Sequence, residues 1–599
     1  MCIRDRYLIG IILFLITTSG FSQKEDFQWM FNSTSIDNCE GSNFYKFCNA
    51  SVLDFNTDPP SFYQNVEATL DLAWTHASIC DSDGQMLLYS NGMSIHGHDH
   101  TPIINGDTIR YGIFWDNNTW NNELGEVKPR GFLGTDCAGF IPSPENRNKI
   151  FHLYYNFDST LINGRFKKYV AEINVSDPHL PIVRTKDSLL IETTIPSHTT
   201  CAQHGNGRDW WLLQFSTDTL FSFLIDPKGI HLHHLTKLPF SMDDQQTTSV
   251  FNDVASKYAV HSIVSSDDPK GNVVTIFDFD RCSGDLFNPI QDSISSLNIS
   301  ATPGSAFSAS GQYLYINDRI HCFQYDMWAN DIIASKDTVM IYDEIQFDEP
   351  ITHHTRFGFM RKGPDNKIYL CQAGQGLHVH VIHEPDRPGL LCRPEQKAIK
   401  LPTFHIGTLP THNTLRLGPL DDSPCDTLDL DNHPISRFRY EQDSLDHLAI
   451  DFVDLSYFEP TAWSWYFGDG NSSIKRFPEH IYAENGVYRV CQTVSNQFST
   501  DVSCDTLFLG TSSLSDTNTK RHITLFPNPV LDFTRVAFHD YLPEEPHIKV
   551  YNSDGQMVLR ETLDGVASLV DMSGLTDGVY VYEVWDVKTR IGGGKVVKI

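Results

Sequence analysis

The sequence predicts an all-β chain, on two observations. The first is composition: aromatic residues make up 12% and charged residues only 20%, with 38 Gly and 30 Pro, a mixture that suits short strands joined by polar turns. The second is a degenerate repeat, a polar turn ending in Gly or Asn followed by a short aromatic and β-branched run. At 599 residues the chain exceeds what one core supports, so about two to four domains are expected.

The repeat begins as Asp81-Ser-Asp-Gly84 before Met86-Leu-Leu-Tyr89, and next as Ser143-Pro-Glu-Asn146 before Ile150-Phe-His-Leu-Tyr154. It returns as Gly205-Asn-Gly207 before Trp210-Trp-Leu-Leu213, weakly as Asp253-Val-Ala-Ser256, then as Ser308-Ala-Ser-Gly311 and Gly363-Pro-Asp-Asn366. The period is on the order of 50–60 residues. Four short strands per period, with Gly or Asn taking positive φ at the turns, spell a β-propeller blade. Six copies lie between Leu70 and Leu390, and the flanks around Phe27 to Phe62 and Lys400 to Leu417 are expected to complete a seventh. A stack of β-sandwiches is the alternative.

Ahead of this region, Arg4 and Arg6 precede an apolar run from Tyr7 to Ile16, with Gly20 and Ser22 placed for cleavage. Residues 1–22 therefore read as a secretory signal peptide, too short to span a bilayer, and no later run reaches spanning length. The opening Met1–Arg6 resembles a stretch found ahead of unrelated environmental reading frames, so the natural start is expected elsewhere. The net charge of −30 argues against nucleic acid or an anionic lipid surface as partner. Of 13 cysteines, Cys2 leaves with the leader, and an even number in an oxidising compartment favours disulfides. Proximity suggests Cys39 with Cys48 and Cys491 with Cys504; no C-x-x-C occurs.

Residues 23–420 are thus expected to form the propeller and 421–434 a Pro- and Asp-bearing linker. Between 435 and 510 lie Trp465, Phe467, Gly468, Asp469 and Gly470, then Pro478, His480 and Tyr482, then Gly486 and Tyr488. In order and spacing these resemble the PKD domain, an immunoglobulin-like β-sandwich. A second linker, 511–521, leads to 522–599, with Pro527, Asn528, Pro529, Tyr551, Gly555, Leu575, Gly578, Tyr580 and Lys595. This pattern resembles the type A C-terminal sorting domain of type IX secretion (the Por secretion tail), a small β-sandwich. The resemblance implies a Bacteroidota-type exported protein that engages the type IX secretion machinery and ends up secreted or on the outer cell surface. The propeller, through Asp81–Gly92 and Gly363–Leu370, also resembles N-terminal regions of other Bacteroidota surface proteins, a group that implies no established reaction.

Few residue clusters suggest chemistry. His96, His98 and His100 could offer imidazoles to a metal, but the spacing H-x-H-D-H falls one residue short of the dinuclear hydrolase pattern. His198, Cys201 and His204 make H-x-x-C-x-x-H without an evident fourth ligand. His231, His233 and His234 suit a polar turn. Asp267-Asp268 and Asp421-Asp422 carry oxygen ligands of the kind calcium takes, although such pairs are ordinarily solvated turns; no other cofactor is expected. There is no G-x-S-x-G elbow, H-E-x-x-H, P-loop or EF-hand loop. No catalytic residue is assigned. The expected function is non-catalytic binding of a glycan or surface protein by the propeller, with the PKD unit as spacer. The alternative is a propeller hydrolase or lyase acting on polysaccharide.

Overall fold

A computed structural model describes residues 24–31, 50–57, 59–65, 67–68, 70–72, 75–109, 119–121, 127–129, 137–158, 165–193, 198–238, 247–263, 272–295, 304–343, 346–347, 353–407, 409–411, 416–442, 448–509, 523–526, 533–538, 546–552, 556–563, 567–576, 578–587 and 589–598. The signal peptide, Cys39, Cys48, Asp267, Asp268, the 511–521 linker, Pro527, Asn528, Pro529 and Gly555 lie outside the described residues.

Among the described residues, seven antiparallel sheets of three or four strands follow one another along residues 28–406, with two short two-stranded ribbons between them. Blade 1 holds Gln28–Phe31, Ala50–Asp54 and Ser61–Asn65, and blade 2 holds Ala77–Cys80, Met86–Ser90 and Ile95–Gly97. Blades 3 to 7 have four strands each, with innermost strands Gly139–Pro142, Thr200–Gln203, Thr247–Phe251, Gly304–Phe307 and Phe357–Lys362. Each predicted repeat is the turn between a blade's first two strands. The turn residue that sequence assigns to positive φ adopts it at Gly84, Gly207, Gly311 and Asn366, at 80°, 75°, 73° and 62°. The weak copy in blade 5 is weak because Ala255 takes this role, at φ 49°. In all five turns this residue's N–H bonds the carbonyl three positions earlier, for instance Gly311 to Ser308 at 2.9 Å. These turns mark one end of the ring, called the floor below.

The blades are held by apolar clusters that join neighbours. Met30, Leu70 and Tyr89 link blades 1 and 2, Ile79 and Phe140 link 2 and 3, and Leu153 and Leu212 link 3 and 4. Trp211 and Tyr258 link 4 and 5, Ile276 and Leu314 link 5 and 6, and Tyr315 and Leu370 link 6 and 7. A last cluster packs Trp29 and Phe55 of blade 1 against Tyr369 and Val381 of blade 7. Seven blades and seven junctions make a closed propeller. Neither face of a blade could remain in water alone, since each is lined by buried apolar residues.

Closure uses both flanks that the repeat left over. After the last strand of blade 7, Pro394–Ile406, Thr411 forms a parallel bridge with Ala77 of blade 2, and its N–H bonds the His76 carbonyl at 2.9 Å. Arg416 then forms an ion pair with Asp26, just ahead of the first strand. Both ends of this segment lie where the innermost strand of blade 1 belongs, which accords with the three strands that the described N-terminal residues supply. His231, His233 and His234 correct one expectation: they sit on the outermost strand of blade 4, Gly229–Lys237, and not in a turn.

Beyond Arg416 the chain stays on the floor. Leu420 N–H bonds the Gly205 carbonyl at 2.7 Å, and Pro419 packs so closely on Gly207 that a Cβ there would meet its ring at 2.8 Å. A Cys282–Cys425 disulfide, not foreseen from spacing, ties the segment to blade 5. Residues 418–432 are therefore anchored to the propeller. The PKD-like unit pairs Phe438–Gln442, Ala449–Asp454 and Glu479–Ile481 in one sheet. Ser472–Ser473, Ala462–Tyr466, Gly486–Ser495 and Thr500–Leu509 form the other. Trp465, Phe467, Tyr482 and Val490 fill its core, and Cys491 is bonded to Cys504 across adjacent strands. Gly468, at φ 84°, lies against the Arg489 backbone, where a Cβ would come within 2.8 Å. His480 stacks on Phe467 and reaches Asp469 at 2.7 Å, and the Tyr482 hydroxyl donates to the Phe467 carbonyl at 2.9 Å.

This sandwich docks on the floor of blade 7. Arg437 donates to the Pro364 carbonyl at 3.2 Å and Arg439 to the Asp365 carbonyl at 2.9 Å. Glu441 gathers Lys367, Arg393 and Arg439 around one carboxylate. The unit expected as a spacer is thus held against the propeller. Residues 510–599 form a separate unit. Its two sheets enclose Val536, Ile548, Val570, Tyr580, Tyr582 and Val584. Tyr551 ends one of its strands and Leu575 packs at the edge of the core, while Gly578 opens the strand that carries Tyr580, and Lys595 lies in the last strand.

Replacing Cys282 and Cys425 together by Ser frees a tether across 143 residues and is expected to destabilise the propeller by about 2–5 kcal/mol. Calorimetry should show its transition shifted down and limited proteolysis should show faster cutting within 421–434, whereas the Cys491/Cys504 double variant should leave that segment as resistant as before.

Candidate functional site

The innermost strands line the channel with small hydroxyls. Thr200 and Ser249 approach at 2.6 Å between blades 4 and 5, and Thr248 and Ser305 at 3.3 Å between blades 5 and 6. His198, just ahead of the blade 4 inner strand, sits with Nδ1 2.7 Å from Thr200 Oγ1, and its Nε2 lies 3.1 Å from Nη2 of Arg361. A guanidinium only donates, so Nε2 accepts, and the proton resides on Nδ1, which donates to Thr200. The imidazole is then neutral. Arg361 belongs to the inner strand of blade 7, three blades away from blade 4 in a ring of seven, so this pair spans the lumen.

Where the channel meets the floor, a cavity of about 350 Å³ opens between the turns of blades 5, 6 and 7 and the PKD loop Ser456–Pro460. Arg361, Lys362, Arg416 and Arg476 bring positive charge to it, against Asp26, Asp253 and Glu459. Lys362 holds Asp253 at 2.8 Å, and Arg416 stacks over Tyr457 at 4.9 Å while paired with Asp26. Burial pushes the Glu459 carboxyl up, Asp421 adds to the rise and Arg281 opposes it. A half-buried acid of this kind gives up its charge more readily than a surface glutamate.

The histidines singled out in sequence do not converge. His96 bonds the His100 carbonyl through Nδ1 at 3.0 Å, and His100 approaches Asn65 at 2.7 Å and Tyr89 at 3.3 Å. These contacts fix a local turn on the outer part of blade 2, with His100 at φ 61°. His98 faces His179 at 3.1 Å. His198 and His204 flank a single extended strand, which separates them by roughly 20 Å at the rise of a β-strand. Cys201 between them is buried in the junction of blades 3 and 4. His204 instead packs at a tilt against Trp211 and bonds the Cys282 carbonyl at 3.2 Å. A second cavity, of about 470 Å³, is lined by Asp421, Asp422, Asp426, Asp429 and Asp431. Among the described residues, no three His, Cys, Asp or Glu side chains are grouped to hold a metal ion.

Sequence reasoning passed over three residues that the structure singles out. Arg361 and Lys362 look like ordinary surface cations until the Gly363–Asn366 turn is recognised as the floor, which makes them the end of an inner strand. Lys168 is fully buried between blades 3 and 4. Its Nζ donates to Thr199 Oγ1 at 2.6 Å and to Gln214 Oε1 at 2.5 Å, beneath the Tyr155 ring at 4.7 Å. Burial pulls its pKa down to about 7, with Cys137 and Cys201 opposing.

Comparison with known proteins bears on the two C-terminal units. Residues 444–509 match the PKD domain family, and residues 524–598 match the secretion system C-terminal sorting domain. The chain is type IX secretion cargo. Proteins with this tail are exported to the cell surface or the extracellular space, and no described helix is long and apolar enough to cross a membrane. No curated protein matches the chain significantly. Among solved structures, the PKD1 domain of the Vibrio cholerae metalloprotease PrtV is 24% identical, with 13% of this chain and 98% of that one covered and a TM-score of 0.12. A Bacteroides fragilis protein provisionally described as a 6-phosphogluconolactonase is 12% identical, with 65% and 99% covered and a TM-score of 0.36. A Bacteroides uniformis protein described in the same way is 11% identical, with 75% and 100% covered and a TM-score of 0.26.

Lys168 generates a prediction with a definite sign. Its folded pKa of about 7 lies well below the ordinary lysine value, so between about pH 7 and 10 the unfolded chain binds a proton that the folded chain does not. Stability owed to this group therefore rises with pH across that window and is at its lowest below pH 7. Relative to Lys168→Met, the wild type should gain on the order of 3–5 kcal/mol between pH 7 and 10. Urea midpoints at the two pH values, wild type against variant, read this difference directly.

Proposed function

We propose that this exported chain is a non-catalytic binding protein, with the propeller as its ligand-binding module and the PKD domain as the cap of the propeller floor. The observation that carries this reading is the Arg361–His198 contact across the lumen. In propeller enzymes the reacting groups face the channel, where an acid, base or nucleophile must be free to meet substrate. Here the imidazole is neutral, accepts from a guanidinium and donates to a threonine, which leaves it poorly placed as a base. A rigid ring carrying exposed turns and a charged cavity suits recognition instead.

Glycans and surface proteins are the expected ligand classes, and the export route brings the chain into contact with both. The test is a glycan array probed with the secreted full chain, followed by size analysis of each glycan retained. Retention of a glycan subset with chain lengths unchanged after overnight incubation is the expected result. Shortened products would instead establish a hydrolase or lyase, and with it a different role for the channel.

A further inference from the structure

We infer that the floor cavity shared by the propeller and the PKD domain is a binding site for a carboxylate-bearing saccharide unit, with Arg361 and Lys362 as its anion-recognising residues. The inference rests on the reading of the chain as a binding protein and adds the site and the ligand class. Three observations carry it. The cavity, about 350 Å³, is at the small end of ligand sites and holds roughly one or two sugar rings. Its lining carries four cationic side chains, of which Lys362, Arg416 and Arg476 are paired with Asp253, Asp26 and Asp454, so in a chain whose net charge is −30 the cavity is a near-neutral spot in an acidic surface field. One of its acids, Glu459, is biased by burial and by Asp421 toward its neutral form, which tips the balance toward an anionic guest.

The uncharged chemistry points to a saccharide over a simple anion. Sugar hydroxyls donate and accept at once, so they pair with a lining that alternates donors and acceptors. Asp253 beside Lys362 at 2.8 Å, and Asp26 beside Arg416, offer such alternation. Tyr457 and Phe458 add ring surface for the apolar face of a pyranose. Arg361 reaches from this cavity to His198 in the lumen, and its planar guanidinium suits a carboxylate. Because Ser456–Pro460 and Arg476 come from the PKD domain, the site is complete only while that domain is docked.

The experiment uses the full secreted chain, with galacturonic-acid trisaccharide as probe and neutral maltotriose as comparison, read by calorimetric titration. The wild type should bind the acidic trisaccharide at least tenfold more tightly than the neutral one, and Arg361→Gln should weaken it at least tenfold. Because that substitution could disturb the lumen, Glu459→Gln supplies an opposite arm, read at pH 8, where the raised Glu459 carboxyl is more fully ionised: removing that charge should tighten acidic binding, a gain that misfolding does not produce. A sulfated trisaccharide separates carboxylate from sulfate recognition, and tighter binding of the sulfated sugar would overturn the stated ligand class. Acidic binding unchanged in both variants would overturn the site while leaving the wider binding reading intact. Absence of measurable acidic binding by the wild type would overturn the proposal, and retention of other glycans or proteins on arrays would then decide the wider reading separately.

Discussion

The Asp26–Arg416 ion pair joins the two ends of the ring, and the rest of the propeller depends on that meeting. Seven sheets packed face to face leave two uncovered faces unless the first and last come together. Trp29 and Phe55 of blade 1 therefore need Tyr369 and Val381 of blade 7 as much as any internal pair needs its neighbour. The pair itself lies mostly out of water, with side chains 13% and 18% exposed, and the guanidinium packs over Tyr457 and near Phe27. A buried pair contributes little beyond an apolar substitute, but losing one partner strands the other charge. Its value here is register: it fixes where the returning chain stops beside the departing one.

From that fixed point the functional architecture follows. The returning segment leaves on the floor, is bonded to Gly205 and Cys282, and delivers the PKD domain against blade 7. Arg437 and Arg439 then take carbonyls of the Gly363–Asn366 turn, the same turn whose positive-φ Asn366 the repeat required. A feature needed to fold the blade thus becomes the platform for docking. The floor cavity exists because the two domains meet there, and its cations come from blade 7, the closing segment and Arg476 of the PKD domain together.

Much of the fold was legible because turns and alternation are local. The Gly and Asn turn positions marked five blades and the weak Asp253–Ser256 copy a sixth, and the leftover flanks pointed to a seventh. The PKD core was readable from Trp465, Phe467 and Tyr482, whose spacing reflects a single sandwich. Long-range pairing was not legible: Cys282 and Cys425 are far apart in sequence and have no spacing signature, and Lys168 looks like any strand lysine until its neighbours are known. The site was the least legible part. His96, His98, His198 and His204 attract notice because histidine clusters often bind metals, yet strand geometry separates them and local turns use them up. Arg361 and Lys362 acquire meaning only when the ring brings them beside Glu459 and Tyr457.

The most direct test of this account is amide hydrogen exchange at Thr411 and Leu420 in the full chain, compared with the amides of Ala77–Cys80. These two N–H groups bond His76 and Gly205, so closure predicts that both exchange as slowly as the inner strand of blade 2 and lose protection together with it. If both exchange at the rate of a free linker while Ala77–Cys80 stays protected, the C-terminal segment does not close the ring, and the docked floor built on it falls as well.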